Sequence, residues 1–231
     1  MSAPSPRTIM LTAADGFQLP VYEVQPPGTP RGAVVVLQEI FGVNSHIRAV
    51  TESFAQAGYL ALAPALFQRV RAGVELGYTQ PDIAEGMALK AAAEALPAPG
   101  ALQDVQACLA HAAQAGKVGV VGYCWGGLMT WRSACLLDGV QAAVPYYGGG
   151  VTSATESARQ PRCPVLAHFG RQDHAIPLDG VQAFAQAHPQ VRVELYDAGH
   201  GFHCDQRGSF DAAAAALARE RTLAFFASHL S

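Results

Sequence analysis

The sequence has no Cys-x-x-Cys pair, no apolar run long enough to span a bilayer, no internal repeat and no block of like charge. Each absence removes a class of function. Five cysteines (Cys108, Cys124, Cys135, Cys163 and Cys204) make an odd set, which argues against a disulfide framework or a structural zinc site. His200, His203 and Cys204 lie close in sequence, but H-x-x-H-C fits no zinc pattern, and neither metal nor another cofactor is expected. No stretch approaches the ~18 apolar residues of a membrane-spanning helix, so the mean hydropathy of +0.15 reflects an internal core. The net charge is −3 and the fifteen Lys and Arg residues are scattered, which excludes nucleic acid and anionic membranes as expected partners. The opening Met-Ser-Ala-Pro-Ser-Pro-Arg lacks the charged and apolar regions of a signal peptide, and a cytoplasmic location is expected.

What is present is a chain of 231 residues, half of them apolar. That suffices for one large core, and a single domain over 1–231 is expected. Strand-like and helix-like segments alternate almost to the end, the pattern of a mostly parallel twisted sheet with helices on both faces. Thr8–Leu11 and Phe17–Val24 read as a hairpin. Gly32–Gln38, Tyr59–Ala63, Lys117–Gly122, Val140–Tyr147, Pro164–Gly170 and Val191–Tyr196 read as further strands. Helices are expected over Ser45–Ala57 (capped by Asn44 or Ser45, stopped by Gly58), Leu128–Leu137, Leu178–Ala187 and Ser209–His229. Between Pro64 and about Gln80 the chain is irregular, and two helices then follow, split near Pro97-Ala98-Pro99-Gly100. Cys108, Cys135 and Cys163 lie in apolar or helical surroundings and read as small buried hydrophobes.

Cys124 differs. Directly after the strand KVGVVG comes Gly122-Tyr123-Cys124-Trp125-Gly126-Gly127, and a helix follows. This is the nucleophile elbow G-x-S-x-G of the α/β-hydrolase fold, with Cys in the Ser position. A sharp strand-to-helix turn lifts the nucleophile above the sheet, and the glycines permit close backbone approach. The helix N-terminus favours a thiolate and an oxyanion. Five residues alone leave a Gly-flanked cysteine in a tight turn as good a reading as a nucleophile; the placement between strand and helix points to catalysis.

In this fold the acid and then the base follow the nucleophile along the chain. Asp173 comes after the strand ending at Gly170, at the carboxyl edge where open α/β sheets place their sites. His200 comes after the next strand, between Gly199 and Gly201. His200 is the candidate whose intrinsic pKa suits proton shuttling, and Asp173 would orient its ring. Among competitors, Asp179 suits a helix-start role and Asp197 stands too near His200 to orient it. His168 and His174 read as packing or surface residues. Glu39 closes the strand GAVVVLQ in the loop that donates an oxyanion N–H in this fold, which marks it as an active-site carboxylate rather than a surface charge.

Taken together, QEIFGVN, the P-x-L segment at Pro64–Phe67, GYCWGG, GRQDH and AGHGF resemble the dienelactone hydrolase (carboxymethylenebutenolidase) family over nearly the whole chain. The resemblance implies a cysteine hydrolase acting on the enol-lactone ring of dienelactones, formed when bacteria degrade catechols. It implies Cys124, Asp173 and His200 as the triad, and Ile40 and Trp125 as oxyanion N–H donors. Glu39 is expected to take the thiol proton once substrate displaces it from a resting partner. Tyr146 matches a pocket-wall tyrosine.

The substrate clamp departs from the family pattern. Of two arginines expected to hold a substrate carboxylate, one is missing from Gln80–Met87. Cys204 stands where the second belongs, with Arg207 three residues on as its possible substitute. Gly201 replaces a hydroxyl residue. These departures predict a weakened preference for carboxylated lactones, with a carboxylesterase or thioesterase as the alternative enzyme and a non-catalytic binding protein as the alternative outside catalysis. The expected partner is a small lactone or ester; monomer and small homo-oligomer both stay open.

Overall fold

The computed structural model describes residues 4–230; Met1–Ala3 of the N-terminal segment read above lie outside it. Eight strands form one sheet: β1 (Ser5–Thr12), β2 (Gln18–Gln25), β3 (Ala33–Leu37), β4 (Leu60–Pro64), β5 (Val118–Tyr123), β6 (Val140–Tyr146), β7 (Leu166–Gly170) and β8 (Arg192–Tyr196). Their order is β1-β2-β4-β3-β5-β6-β7-β8. The hairpin β1–β2 and the pair β2–β4 are antiparallel, and all other pairs are parallel. This is the α/β-hydrolase fold. The order reverses around β3, β4 and β5, which places the carboxyl ends of β3 and β5 side by side, with Leu37 paired to Gly122. Every residue of β3, β4 and β5 is buried, as continuous apolar runs require when helices cover both faces.

The helices are α1 (Ser45–Gln56), α2 (Gln80–Glu94), α3 (Leu102–Ala112), α4 (Trp125–Leu136), α5 (Ala154–Ser157), α6 (Leu178–Ala187) and α7 (Ala212–Leu230). On one face Phe54 of α1 meets Phe226 of α7, ring centroids 6.0 Å apart; α3 and α4 pack together on the other. Alternation along β5 explains the division: a Cβ on Gly119 would strike Phe226, whereas one on Gly122 would strike Gly126 and Thr130 of α4. Burying each large apolar side chain in these layers contributes roughly 1.5–3 kcal/mol. Asn44 caps α1 by accepting from the Ile47 N–H, and Gly58, at φ 94°, turns the chain away after it. No helix among the described residues is long and apolar enough to cross a membrane.

Most sequence-derived elements agree to within a few residues. The largest shift concerns α4, which begins at Trp125 rather than Leu128. Gly126 and Gly127 look like helix breakers, but both lie within α4, and they are glycines because neighbouring backbone leaves no space for a Cβ. The single turn α5 was not foreseen, since four residues carry no periodicity.

Candidate active site

Cys124 occupies the joint between β5 and α4 with φ 55° and ψ −115°, a region that costs a non-glycine residue about 1–3 kcal/mol. Backbone bonds hold it there. Its N–H donates to the Tyr146 carbonyl at 3.1 Å, and its carbonyl accepts from Gly127 at 3.0 Å. The glycine spacing is steric. A Cβ on Gly122 would come 2.2 Å from the Gly126 carbonyl oxygen, one on Gly126 would come 2.2 Å from that of Leu37, and one on Gly127 2.6 Å from that of Tyr146. Trp125, as the first residue of α4, has an N–H without an intrahelical acceptor. Its buried indole stacks on Phe67 at 4.9 Å and donates to Glu94 at 3.1 Å.

Asp173 follows β7 and His200 follows β8. The Asp173 carboxylate is buried; its Oδ1 accepts from the N–H groups of Ala175 (2.8 Å) and Ile176 (3.2 Å), leaving Oδ2 to face His200 Nδ1 at 2.8 Å. Burial pulls the His200 pKa down, but the hydrogen bonds to Asp173 and Cys124 outweigh it and push His200 up to about 10. Of the competitors, Asp197 pairs with Arg171 at 3.2 Å on the surface, and Asp179 accepts from Gly180 in the first turn of α6. His168 is buried between Tyr196 and Thr222.

Glu39, fully buried, lies in the loop leaving β3. Gln38 fixes that loop by accepting from the Leu66 N–H at 3.1 Å and donating to the Glu39 carbonyl at 3.3 Å. Both Glu39 carboxylate oxygens are engaged: Oε1 by Arg207 at 3.3 Å and Oε2 by the Tyr78 hydroxyl at 3.1 Å. Among the described residues the adjacent Ile40 N–H donates to no backbone acceptor, which leaves it free for an oxyanion. Gly86 of α2 packs so closely on Ile40 that a Cβ would lie 2.4 Å from its carbonyl oxygen. That contact explains a glycine in the middle of a helix.

A cavity of about 670 Å³ opens over Cys124 and His200. Ile40, Phe41, Ile83, Met87 and Leu128 give it an apolar wall, and Lys90, Arg132 and Arg207 are its cations. Arg132 is engaged by Glu156 at 2.9 Å. Arg207 reaches the cavity because turns from Gly201 to Cys204 and from Cys204 to Arg207 curl its loop inward. Lys90 and Tyr78 were missed in the sequence. Lys90 lies three residues beyond Met87, where the cation-free segment Gln80–Met87 ends, and an isolated Tyr in an irregular stretch carries no pattern.

Tyr146 requires a correction. It does not line the cavity; it is 1% exposed, with its hydroxyl 2.6 Å from that of Thr222 on α7. Side chains alternate along β6, so Tyr146 points beneath the sheet edge. Tyr147, which leaves the strand at φ 35°, instead places its ring 5.2 Å from that of His200.

Residues 19–230 match the model of the dienelactone hydrolase family. The chain is 33% identical over 227 residues to the carboxymethylenebutenolidase of Pseudomonas putida, covering 95% of each. A crystal structure from Klebsiella pneumoniae, described as a "putative dienelactone hydrolase", superposes with a TM-score of 0.84 at 30% identity, over 99% of this chain and 100% of that one. Dienelactone hydrolase from Anabaena variabilis shares the fold, with a TM-score of 0.71 at 20% identity and full coverage of both chains.

Proposed function

The chain belongs to the dienelactone hydrolase family, and on that premise we propose that it hydrolyses a small lactone or ester through a covalent acyl-enzyme on Cys124. One observation carries the reading: a strained cysteine at a helix N-terminus shares a cavity with a His200 that is oriented by buried Asp173.

The proton inventory assigns the roles. In this reading His200 rests doubly protonated against the Asp173 carboxylate and has no lone pair for the thiol proton, which goes instead to Glu39. Glu39 becomes available when an incoming substrate draws Arg207 away from its Oε1. The Cys124 thiolate attacks the carbonyl carbon, and the N–H groups of Ile40 and Trp125 hold the developing oxyanion. The carbon–oxygen bond of the ester breaks as His200 gives its Nε2 proton to the leaving oxygen. In a lactone that oxygen stays tethered to the acyl group, as an enol where the ring is an enol-lactone and as an alcohol otherwise. Neutral His200 then takes a proton from water, whose oxygen attacks the thioester. Collapse expels the Cys124 thiolate, which recovers its proton from Glu39 and leaves His200 charged again. Asp173 holds one tautomer throughout.

The substrate class follows from the cavity wall: an apolar ring or chain against Ile83, Met87 and Leu128, with a carboxylate near Arg207 and Lys90. The test is a panel of carboxylated lactones, neutral lactones and aryl esters, run with the wild type and Cys124→Ala. Turnover of a lactone or ester by the wild type, absent in the variant, supports the reading. Equal turnover by both contradicts it.

A further inference from the structure

The mechanism above uses Glu39 but not its neighbours His46 and Cys204. We infer that Glu39, His46 and Cys204 bind one zinc(II)-class cation beside the catalytic pocket, with His46 held in place by Asp205. One potential ligand atom from each of the three buried residues lies within 4.8 Å of the other two. Carboxylate, imidazole and thiolate together are a borderline-soft donor set that suits zinc, and three protein ligands leave a fourth position for water.

The second observation is His46 itself. Its ring is buried at 3% exposure, and its Nε2 has no hydrogen-bond partner among the described residues. A buried ring nitrogen without a partner is costly. The other nitrogen, Nδ1, lies 3.1 Å from Asp205 Oδ1. A proton held on Nδ1 by that carboxylate leaves Nε2 as a bare lone pair, the tautomer that metal-ligating histidines adopt when a carboxylate orients them.

Zinc–ligand bonds of about 2.0–2.3 Å place tetrahedral ligand atoms roughly 3.5 Å apart. Closing the cluster therefore needs a contraction of little more than about 1 Å, within the reach of side-chain rotation. A surface depression lined by His46, Ser53, His203 and Asp205 borders the site and gives an ion a way in. Binding would expel the Cys204 thiol proton to solvent, and the thiolate and carboxylate would neutralise the dication. The cation would also replace Arg207 as the partner of Glu39. On the reading that Glu39 accepts the Cys124 proton, occupancy inhibits the enzyme.

The test is metal content, measured without turnover so that it stands apart from the catalytic assignment. Metal-free full chain is incubated with Zn²⁺ alone, freed of excess ion and analysed by mass spectrometry for zinc. Cys124→Ala serves as the background that removes the triad thiol as a competing ligand. The expected result is about one zinc per chain in wild type and in Cys124→Ala. In that background, affinity should fall by more than tenfold in His46→Asn and in Cys204→Ser, and by about 10–100-fold in Asp205→Asn, whose exposed side chain is not a ligand. Cobalt(II) should give an intense thiolate-to-metal band that vanishes in Cys204→Ser. Far-ultraviolet circular dichroism checks that each variant is folded, and Asp205→Asn keeps the test decisive if a buried substitution unfolds the chain. Substoichiometric zinc in the wild type, undiminished binding in folded Cys204→Ser or His46→Asn, or loss of binding in Cys124→Ala would overturn the site.

Discussion

The guanidinium of Arg207 lies across the bare backbone of Gly201: a Cβ there would come 2.6 Å from Arg207 Nη1, the atom that donates to Glu39 at 3.3 Å. The glycine and the arginine are thus one arrangement. Gly201 also has φ 79°, where a side chain is strained in any case. Read in the sequence, the glycine is only a missing hydroxyl; in the fold it is what lets an arginine from further along the loop reach the carboxylate.

Gly201→Ser is accordingly expected to destabilise the chain by about 1–3 kcal/mol and to displace Arg207 from Glu39. Urea denaturation would read the first effect. The second would appear as a raised KM for carboxylated substrate. Unchanged values of both would separate Gly201 from Arg207.

Arg207→Ala should lower kcat/KM for a carboxylated lactone by roughly ten- to a hundredfold, the equivalent of one charge-assisted hydrogen bond of about 1.5–3 kcal/mol. The methyl ester of the same lactone should change far less. The empty Gln80–Met87 segment predicted a weakened preference for the acid, but Arg207 and Lys90 both line the cavity. Wild-type enzyme is therefore expected to favour the acid. Lys90→Ala should reduce that preference by a smaller factor, since an ammonium on a flexible stem offers no fixed fork. A wild type indifferent to the carboxylate would return the account to the sequence-based expectation.

Glu39→Gln keeps the shape of the side chain and removes its basicity. Loss of a general base lowers rate by about 10²–10⁴, and kcat should fall by an amount in that range. A fall below tenfold would leave Glu39 as a structural partner of Tyr78 and Arg207.

The frame of the candidate site was legible because its signals are local and ordered: glycines forced by backbone contact around Cys124, and Asp173 and His200 each following a strand, β7 and β8. The clamp was not, because Arg207 depends on a loop path and Lys90 on which face of α2 meets the cavity. Tyr146 was misplaced for a related reason. Its position at the end of β6 is plain in sequence, but the side to which it points is fixed only by the sheet, and Tyr147 is the residue that turns toward His200. His46 gave no signal at all, since only the fold brings it to Asp205 and near Cys204, both on a distant loop.

A buried histidine should govern acid stability. Burial, reinforced by the charges of Arg221 and Arg192, holds His168 well below its ordinary pKa. In the unfolded chain it takes a proton near about 6.5, while the folded chain refuses it. The unfolded state then binds more protons, so stability is unaffected above that pH and falls by about 1.4 kcal/mol per pH unit below it for this one group. Urea midpoints from pH 7 to pH 5 would read the slope. His168→Gln should flatten it by about one proton, whatever its effect on absolute stability; an unchanged slope would mean that His168 protonates without unfolding.

A covalent bond to Cys124 is open to direct measurement by mass. Enzyme mixed with a slowly hydrolysed ester and quenched in acid before turnover is complete should gain the mass of one acyl group. Peptide mapping should place that mass on Cys124, and Cys124→Ala should neither gain it nor turn over. Hydrolysis by Cys124→Ala at near wild-type rate, or an acyl group mapped to another residue, would contradict the account.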